Sequence, residues 1–322
     1  MKTLGAAMLA ALCCATATST YAAEDYPSRT VRLIIPFAPG GSNDTIARLL
    51  AQHLTDAWGT SVIPDNRAGA GSVVGVEIAA KSQPDGHTMV IISASYAFSS
   101  ALRKKLPFDP VKSFSPVAKI ATGPVVLAVN PSLPARTVKE LIALAAAKPG
   151  QLNFASSGVG SAQHLGMELL KTLVKFDVIH VPYKGGGPAT LSVMTGDAQI
   201  SLGSVISLIP HIRNGKLRAI ATGGLKRSSA LPDLPTVDEA GVKGYEASNW
   251  WGVLVPAGTS QSIIVRLDKE IARFLALDAV KKRFANDGAE PDYLSQAELA
   301  RFVAEETAKW TRVVRAAGIE PQ

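Results

Sequence analysis

The sequence predicts an α/β fold built as two lobes, and three features point to it. Short β-branched runs alternate with runs whose apolar residues recur every three or four positions. The turns leading from strand to helix are rich in glycine and serine. A chain of 322 residues is also long enough for two lobes, each with its own core.

The first strand is Val31-Arg32-Leu33-Ile34-Ile35, and Ile46, Leu49, Leu50, Leu54 and Trp58 then follow at helical spacing. Between them lies Phe37-Ala38-Pro39-Gly40-Gly41-Ser42-Asn43-Asp44. Such a turn leaves backbone N–H groups unpaired at the positive end of the helix dipole, where an anion fits. Gly40 and Gly41 let a ligand approach the backbone, while Ser42 and Asn43 add side-chain donors. The alternative is that Ser42 or Asn43 caps the helix and the glycines only make the bend. Asp44, in the first helical turn, complements the dipole on either reading.

A short strand near Ser61-Val62-Ile63 leads to a second glycine-rich turn, Pro64 to Ser72, and a helix. Thr88 to Ile92 is a further strand ending in Ser93-Ala94-Ser95-Tyr96, which places Ser95 and Tyr96 among the candidate site residues. After the strand Val125 to Val129, Thr137-Val-Lys-Glu140 forms a capping box opening a helix that stops at Pro149-Gly150.

The opening move then repeats. Leu152 to Ala155 is a strand, Ser156-Ser157-Gly158-Val159-Gly160-Ser161 a turn, and Ala162 to Thr172 a helix containing His164 in its first turn. Ile179 to Pro182 is a strand ending in Tyr183-Lys184-Gly185-Gly186-Gly187, with a helix from Pro188. Gln199 to Leu202 leads through Gly203-Ser204 into a helix closed by Asn214-Gly215. Leu217 to Ala221 and Trp251 to Val255 are strands, and helices fill 263–277, 278–286 and 296–316, the last opened by the capping box Ser295 to Glu298. Strands alternating with helices imply parallel sheets covered on both faces, with ligands outside the carboxyl ends of the strands.

The net charge of +7 is spread out, with short basic clusters only at Arg103 to Lys105 and Lys281 to Arg283, so no nucleic-acid partner is expected. Met1-Lys2-Thr3, the apolar Leu4 to Leu12 and the small residues up to Ala23 read as a secretory signal over 1–23, cleaved after Ala22 or Ala23. Both cysteines, Cys13 and Cys14, fall inside it, and neither has the spacing of a lipoprotein signal. The exported chain is then free of cysteine and rests on its core alone.

Enzyme chemistry is thinly represented. His53, His87, His164, His180 and His211 form no metal-binding pair, so no metal and no cofactor is expected. Ser156-Ser157-Gly158 and Gly160-Ser161 only approach a nucleophile elbow, and Lys184 to Pro188 lacks the ending of a phosphate loop. Gly69 to Gly75 is offset by one residue from a dinucleotide fingerprint.

The segments Pro36 to Asp44, Asn66 to Gly71, Pro84 to Thr88 and Leu106 to Pro110, then Leu152 to Gly158, His180 to Gly185, Leu231 to Thr236 and Pro256 to Thr259, carry a resemblance in this order. The chain resembles the Bug receptors, the substrate-binding proteins of tripartite tricarboxylate transporters, over essentially its whole mature length. The resemblance implies a periplasmic, non-enzymatic, monomeric binding protein of the type II class that hands a small carboxylate to membrane permease subunits. Its lobes would be 24–124 with 249–322, and 125–248. The ligand would sit between the loops 39–44 and 156–161, with Tyr183 lining the cleft. Two departures bear on the ligand: Gln199, followed by Gly203-Ser204, stands where an acid is frequent, and Ser99 where asparagine is common. They point to a plain di- or aromatic carboxylate rather than an amino acid. Two competing readings are a subunit signalling ligand occupancy to a sensor and a periplasmic hydrolase using Ser157 or Ser161 with His164.

Overall fold

The computed structural model describes residues 26–174 and 177–316. The expected signal, with Cys13 and Cys14, lies outside the described residues. In the first part of the chain, β1 (Val31–Ile35), α1 (Ser42–Trp58), β2 (Val62–Asn66), a 3₁₀ turn (Ala70–Ser72), α2 (Val73–Ala80), β3 (Thr88–Ser93) and α3 (Ala94–Leu102) alternate. The long β4 (Phe114–Val129) leads to α4 (Val138–Ala147), β5 (Asn153–Ser156), α5 (Ala162–Leu173), β6 (Ile179–Pro182), α6 (Gly186–Thr195), β7 (Ile200–Ser204), α7 (Val205–Arg213) and β8 (Arg218–Thr222). Then β9 (Ser248–Pro256) returns the chain, followed by α8 (Gln261–Ala276), α9 (Asp278–Asp287), β10 (Glu290–Leu294) and α10 (Gln296–Ala316).

The strand order is β2-β1-β3-β9-β4-β7-β5-β6, with β10 and β8 also on β4. Within each lobe the outer strands are parallel: β1 with β2 and β3, β5 with β6 and β7. The expectation of wholly parallel sheets fails at the centre, where β9 runs antiparallel to β3 and β4, and β4 antiparallel to β7, β8 and β10. The reason is that two strands ferry the chain between lobes in opposite directions. From Phe114 to Pro124, β4 pairs with β9; from Val125 to Val129 it pairs with β7 and β8. The expected strand at Val125 to Val129 is therefore the far end of a 16-residue element, and Gly123-Pro124 mark its changeover.

Three further boundaries differ from expectation. Ala94 opens α3 directly after β3, so Ser95 and Tyr96 are helical; α6 starts at Gly186; and β10 carries no signal of its own. Elsewhere local pattern and structure coincide. The Thr137 hydroxyl accepts from the Glu140 N–H at 3.1 Å, and the Glu298 carboxylate takes the Ser295 N–H at 2.9 Å.

Alternation along β1 explains the layering: Leu33 and Ile35 join one apolar cluster with α1 and α8, while Ile34 on the opposite face joins Val90, Phe98 and Trp310 of α10. A separate cluster, built around Leu127, Leu141, Phe154, Met167 and Tyr245, fills the second lobe. Leu33 is fully buried, so Leu33→Ala is expected to destabilise by about 2–5 kcal/mol in urea unfolding. A loss under about 1 kcal/mol would place it outside a packed core.

Candidate functional site

The amino ends of α1, α3, α5, α6 and α7 converge on one slot between the lobes. It is lined by Gly41, Ser42 and Asn43 of the first bend, Ser93 and Ser95 at α3, Ser157, Ala162 and Gln163 at α5, Gly186, Ser204, and Phe37, Val125 and Asn249. Among the described residues no lysine, arginine, aspartate or glutamate lines it. Its volume is about 30 Å³, so the lobes stand drawn together. The N-cap residues of α1, α3, α6 and α7 make no side-chain cap bond, although Asn249 Oδ1 accepts from Ala94 N–H at the start of α3 at 3.2 Å, and in α5 Ser161 accepts from the His164 N–H at 3.2 Å. Uncapped first-turn N–H groups and aligned dipoles give the slot a positive potential without a cationic side chain.

Asn43 has a fixed orientation. Its Oδ1 accepts from the Trp251 indole Nε1–H at 3.2 Å, and an indole is only a donor, so the amide NH₂ is the half left over. That Nδ2 is buried without a partner, as are Gln163 Oε1 and Ser204 Oγ, which also belong to slot-lining residues. Buried polar atoms are nearly always paired in folded proteins, so three orphans among the residues of one slot make it the candidate site.

Behind the first bend, Asp44 accepts from Gly40 N–H at 3.0 Å, Arg48 Nε at 3.0 Å and Asn66 Nδ2 at 3.0 Å. Burial alone would raise its pKa, but Arg48, the Gly40 amide and Asn66 outweigh that and hold the carboxyl below its usual range. Asp44 thus braces the bend as an anion and does not line the slot. Across the slot, the bend formed by residues 156–161 rests on His180, whose Nε2 lies 2.6 Å from Ser156 Oγ, and on His164, whose Nδ1 accepts from Gly160 N–H at 3.3 Å.

The lobes meet backbone to backbone. Ala38 N–H donates to the Lys184 carbonyl at 2.9 Å, and Ala162 N–H to Ser95 Oγ at 3.3 Å. A Cβ on Gly187 would stand 2.4 Å from the Pro39 carbonyl oxygen, and one on Gly71 2.0 Å from that of Val159. Glycine is required there by close approach.

Of the residues singled out in the sequence, Gly41, Ser42, Asn43, Ser95, Ser157 and Ser204 line the slot together. Pro39 and Gly40 belong to the seam against Gly187; Ser156, Gly158, Gly160 and Ser161 shape the second bend; Gly203 packs against Leu208. Tyr96 is placed elsewhere: its hydroxyl donates to the Pro110 carbonyl at 2.6 Å, and its ring lines a separate apolar groove of about 370 Å³ with Phe114, Leu254 and Val303. The cause is the early start of α3, which rotates Tyr96 away from Ser95. Tyr183 packs half-buried against the apolar cluster that runs from Leu33 and Ile35 to Ala155 and Ala189, and does not line the slot in this closed arrangement. The ligand argument from Gln199 and Ser99 also fails on placement, since Gln199 ties Asn153 N–H to the Gly196 carbonyl and Ser99 donates to Gly71. Sequence reading missed Phe37, Ser93, Gln163, Gly186 and Asn249 as slot residues. Gln163, in the first turn after the Ser156 to Ser161 bend, carried a usable local signal, and Phe37, Ser93 and Gly186 stand in turns the sequence already singled out; Asn249 carried none.

Among the described residues no helix is long and apolar enough to cross a membrane. The profile of the tripartite tricarboxylate transporter family receptor matches residues 46–319. Protein BugT of Bordetella pertussis is 38% identical over 92% of this chain and 91% of its own length. Among solved structures, Rpa4515 of R. palustris with adipate is 35% identical with a TM-score of 0.90, over 92% of this chain and all of that one (100%). MatC of Rhodopseudomonas palustris with bound malate is 32% identical with a TM-score of 0.86, over 90% of this chain and 100% of its own. Shared fold, shared order and a matching profile over most of the length lead to one conclusion: the chain belongs to the tripartite tricarboxylate transporter receptor family, whose members are periplasmic solute receptors rather than enzymes.

Proposed function

We propose that this protein is exported by its amino-terminal signal and closes its lobes, 24–124 with 249–322 and 125–248, around a small carboxylate. It then presents the closed form to membrane permease subunits. The observation that carries this is the uncharged slot ringed by helix amino ends, with Asn43 Nδ2 unpaired within it. The similar chains that hold adipate and malate support the ligand class.

The slot also narrows that class. With no acidic residue in its lining, a ligand ammonium group would be desolvated without a counter-charge, which disfavours amino acids. A cavity that holds benzene measures about 150 Å³. The present slot is far smaller, so the lobes must part for entry and reclose around the ligand, hinging where β4 and β9 cross. Closure to backbone contact favours a slim aliphatic acid over an aromatic one.

Calorimetric titration with adipate, malate, succinate, benzoate and aspartate tests the reading. An aliphatic dicarboxylate is expected to bind tightest, and at 100 times its dissociation constant to stabilise the protein by about 2.7 kcal/mol in a thermal shift. Selective binding of aspartate, or of no acid at all, would contradict it. Against the hydrolase reading stands the state of His164: its Nδ1 accepts the Gly160 N–H, which leaves the ring proton on Nε2 and no free base for Ser157 or Ser161.

A further inference from the structure

His180 of β6 stacks on Phe154 of β5 with ring centroids 4.7 Å apart, and on His164 of α5 at 4.2 Å. Each imidazole makes a hydrogen bond to the bend that carries Ser157 into the slot. His164 Nδ1 accepts the Gly160 N–H, which requires the neutral tautomer with its proton on Nε2. His180 Nε2 lies 2.6 Å from Ser156 Oγ, which in turn accepts the Gly158 N–H at 3.1 Å. The Ser156 hydroxyl proton has the Gly158 carbonyl as its other acceptor at 3.3 Å, so the nearer Nε2 takes it. Neither ring lines the slot, yet Ser157, Ala162 and Gln163 do, and all three follow from where this bend is held.

We propose that His164 and His180 are positioning residues for ligand capture, two neutral imidazoles that fix the amides of Gly158 and Gly160 and so aim the amino end of α5 into the slot. The inference rests on the receptor reading for its consequence and on local hydrogen bonds for its substance. The charged surroundings agree with neutrality. On α5, Glu168 favours a charged His164 but is itself paired with Lys171 at 3.1 Å, and Lys171 opposes charge on both rings. From β5, the residues against the pair are Phe154 and Ser156, which carry no charge. Burial, first, and the facing His164 push His180 down to about 3, and burial lowers His164 in the same direction. A lowered histidine pKa means that the unfolded chain takes up protons first. The pair's contribution to stability is therefore complete above pH 6.5 and declines as pH falls toward about 3.

The test uses two substitutions at His164. Asparagine places Oδ1 where Nδ1 stood and cannot be protonated, whereas phenylalanine keeps the stack and removes the acceptor. His164→Asn is expected to bind adipate within about twofold of the parent, and His164→Phe about tenfold more weakly, the worth of one hydrogen bond. Independently of any ligand, the Gly160 amide proton in NMR is expected to keep its hydrogen-bonded shift in His164→Asn and to lose it in His164→Phe. The His180 imidazole of the parent should remain neutral at about pH 5, where an ordinary histidine is almost wholly protonated, and His164 should titrate below an ordinary histidine. Rings that titrate near 6.5, or a Gly160 resonance indifferent to His164→Phe, would overturn the inference. Failure of adipate to bind the parent would count against the receptor reading alone and leave the NMR outcome decisive for the pair.

Discussion

Asn43→Asp is expected to abolish carboxylate binding while the fold survives, with affinity falling at least about a hundredfold. Aspartate has the shape of asparagine and still offers an oxygen to the Trp251 indole, 3.2 Å away. An extra acid in the first turn of α1 also suits the helix dipole. What changes is the other half of the group: the unpaired Nδ2 donor becomes a carboxylate oxygen in a slot without a cationic side chain. Loss of a charge-assisted hydrogen bond costs about 1.5–3 kcal/mol, and a like charge about 4 Å away adds roughly 4 kcal/mol at an effective dielectric of 20. Asn43→Ala removes the donor alone and should cost about tenfold. Calorimetry with adipate reads both, and an Asn43→Asp protein that binds within twofold of the parent would remove Asn43 from the site.

The second large effect is expected at Gly187→Ala, which touches no ligand. Gly187 lies in the first turn of α6 outside the left-handed region, so alanine fits its backbone and is the better helix former by about 1 kcal/mol. The added methyl meets the Pro39 carbonyl oxygen at 2.4 Å only when the lobes are together. The open form should therefore be as stable as before or slightly more so, while the closed form is strained. Apparent affinity falls in proportion to the closed fraction, by about tenfold or more. Small-angle scattering is expected to show a larger radius of gyration with ligand present than in the parent. A protein that closes and binds normally would show that the seam yields without cost.

What was legible in the sequence was local. Val31 to Ile35 announces a buried strand by composition, Thr137 to Glu140 a helix start by reciprocal hydrogen bonding, and the Gly-Gly and Ser-rich bends the residues that line the slot. What was illegible depends on residues far apart in the chain. Asn249 arrives on β9 to accept the Ala94 N–H at 3.2 Å across 155 positions, and nothing near it in sequence signals that role. The first part of β4 escaped notice because Pro116 and Lys119 interrupt its apolar pattern. Lys119 is nonetheless buried, held by Asp292 of β10 at 2.6 Å and lying over the Phe302 ring. That pairing also explains why β10 has no signal, since its register depends on a partner strand whose Lys119 lies 173 positions before Asp292. Tyr96 was misplaced for a related reason: a strand that becomes a helix with no intervening loop leaves no turn residue to mark the change.

The central claim is that helix amino ends from both lobes grip one carboxylate between them, and a crystal structure with the tightest-binding acid of the panel tests it most directly. The account predicts carboxylate oxygens within about 3 Å of Asn43 Nδ2 and of first-turn N–H groups from α1 and α5 together. An acid bound through one lobe alone, or seated in the apolar groove beside Tyr96 and α10 with the slot unchanged, would contradict it.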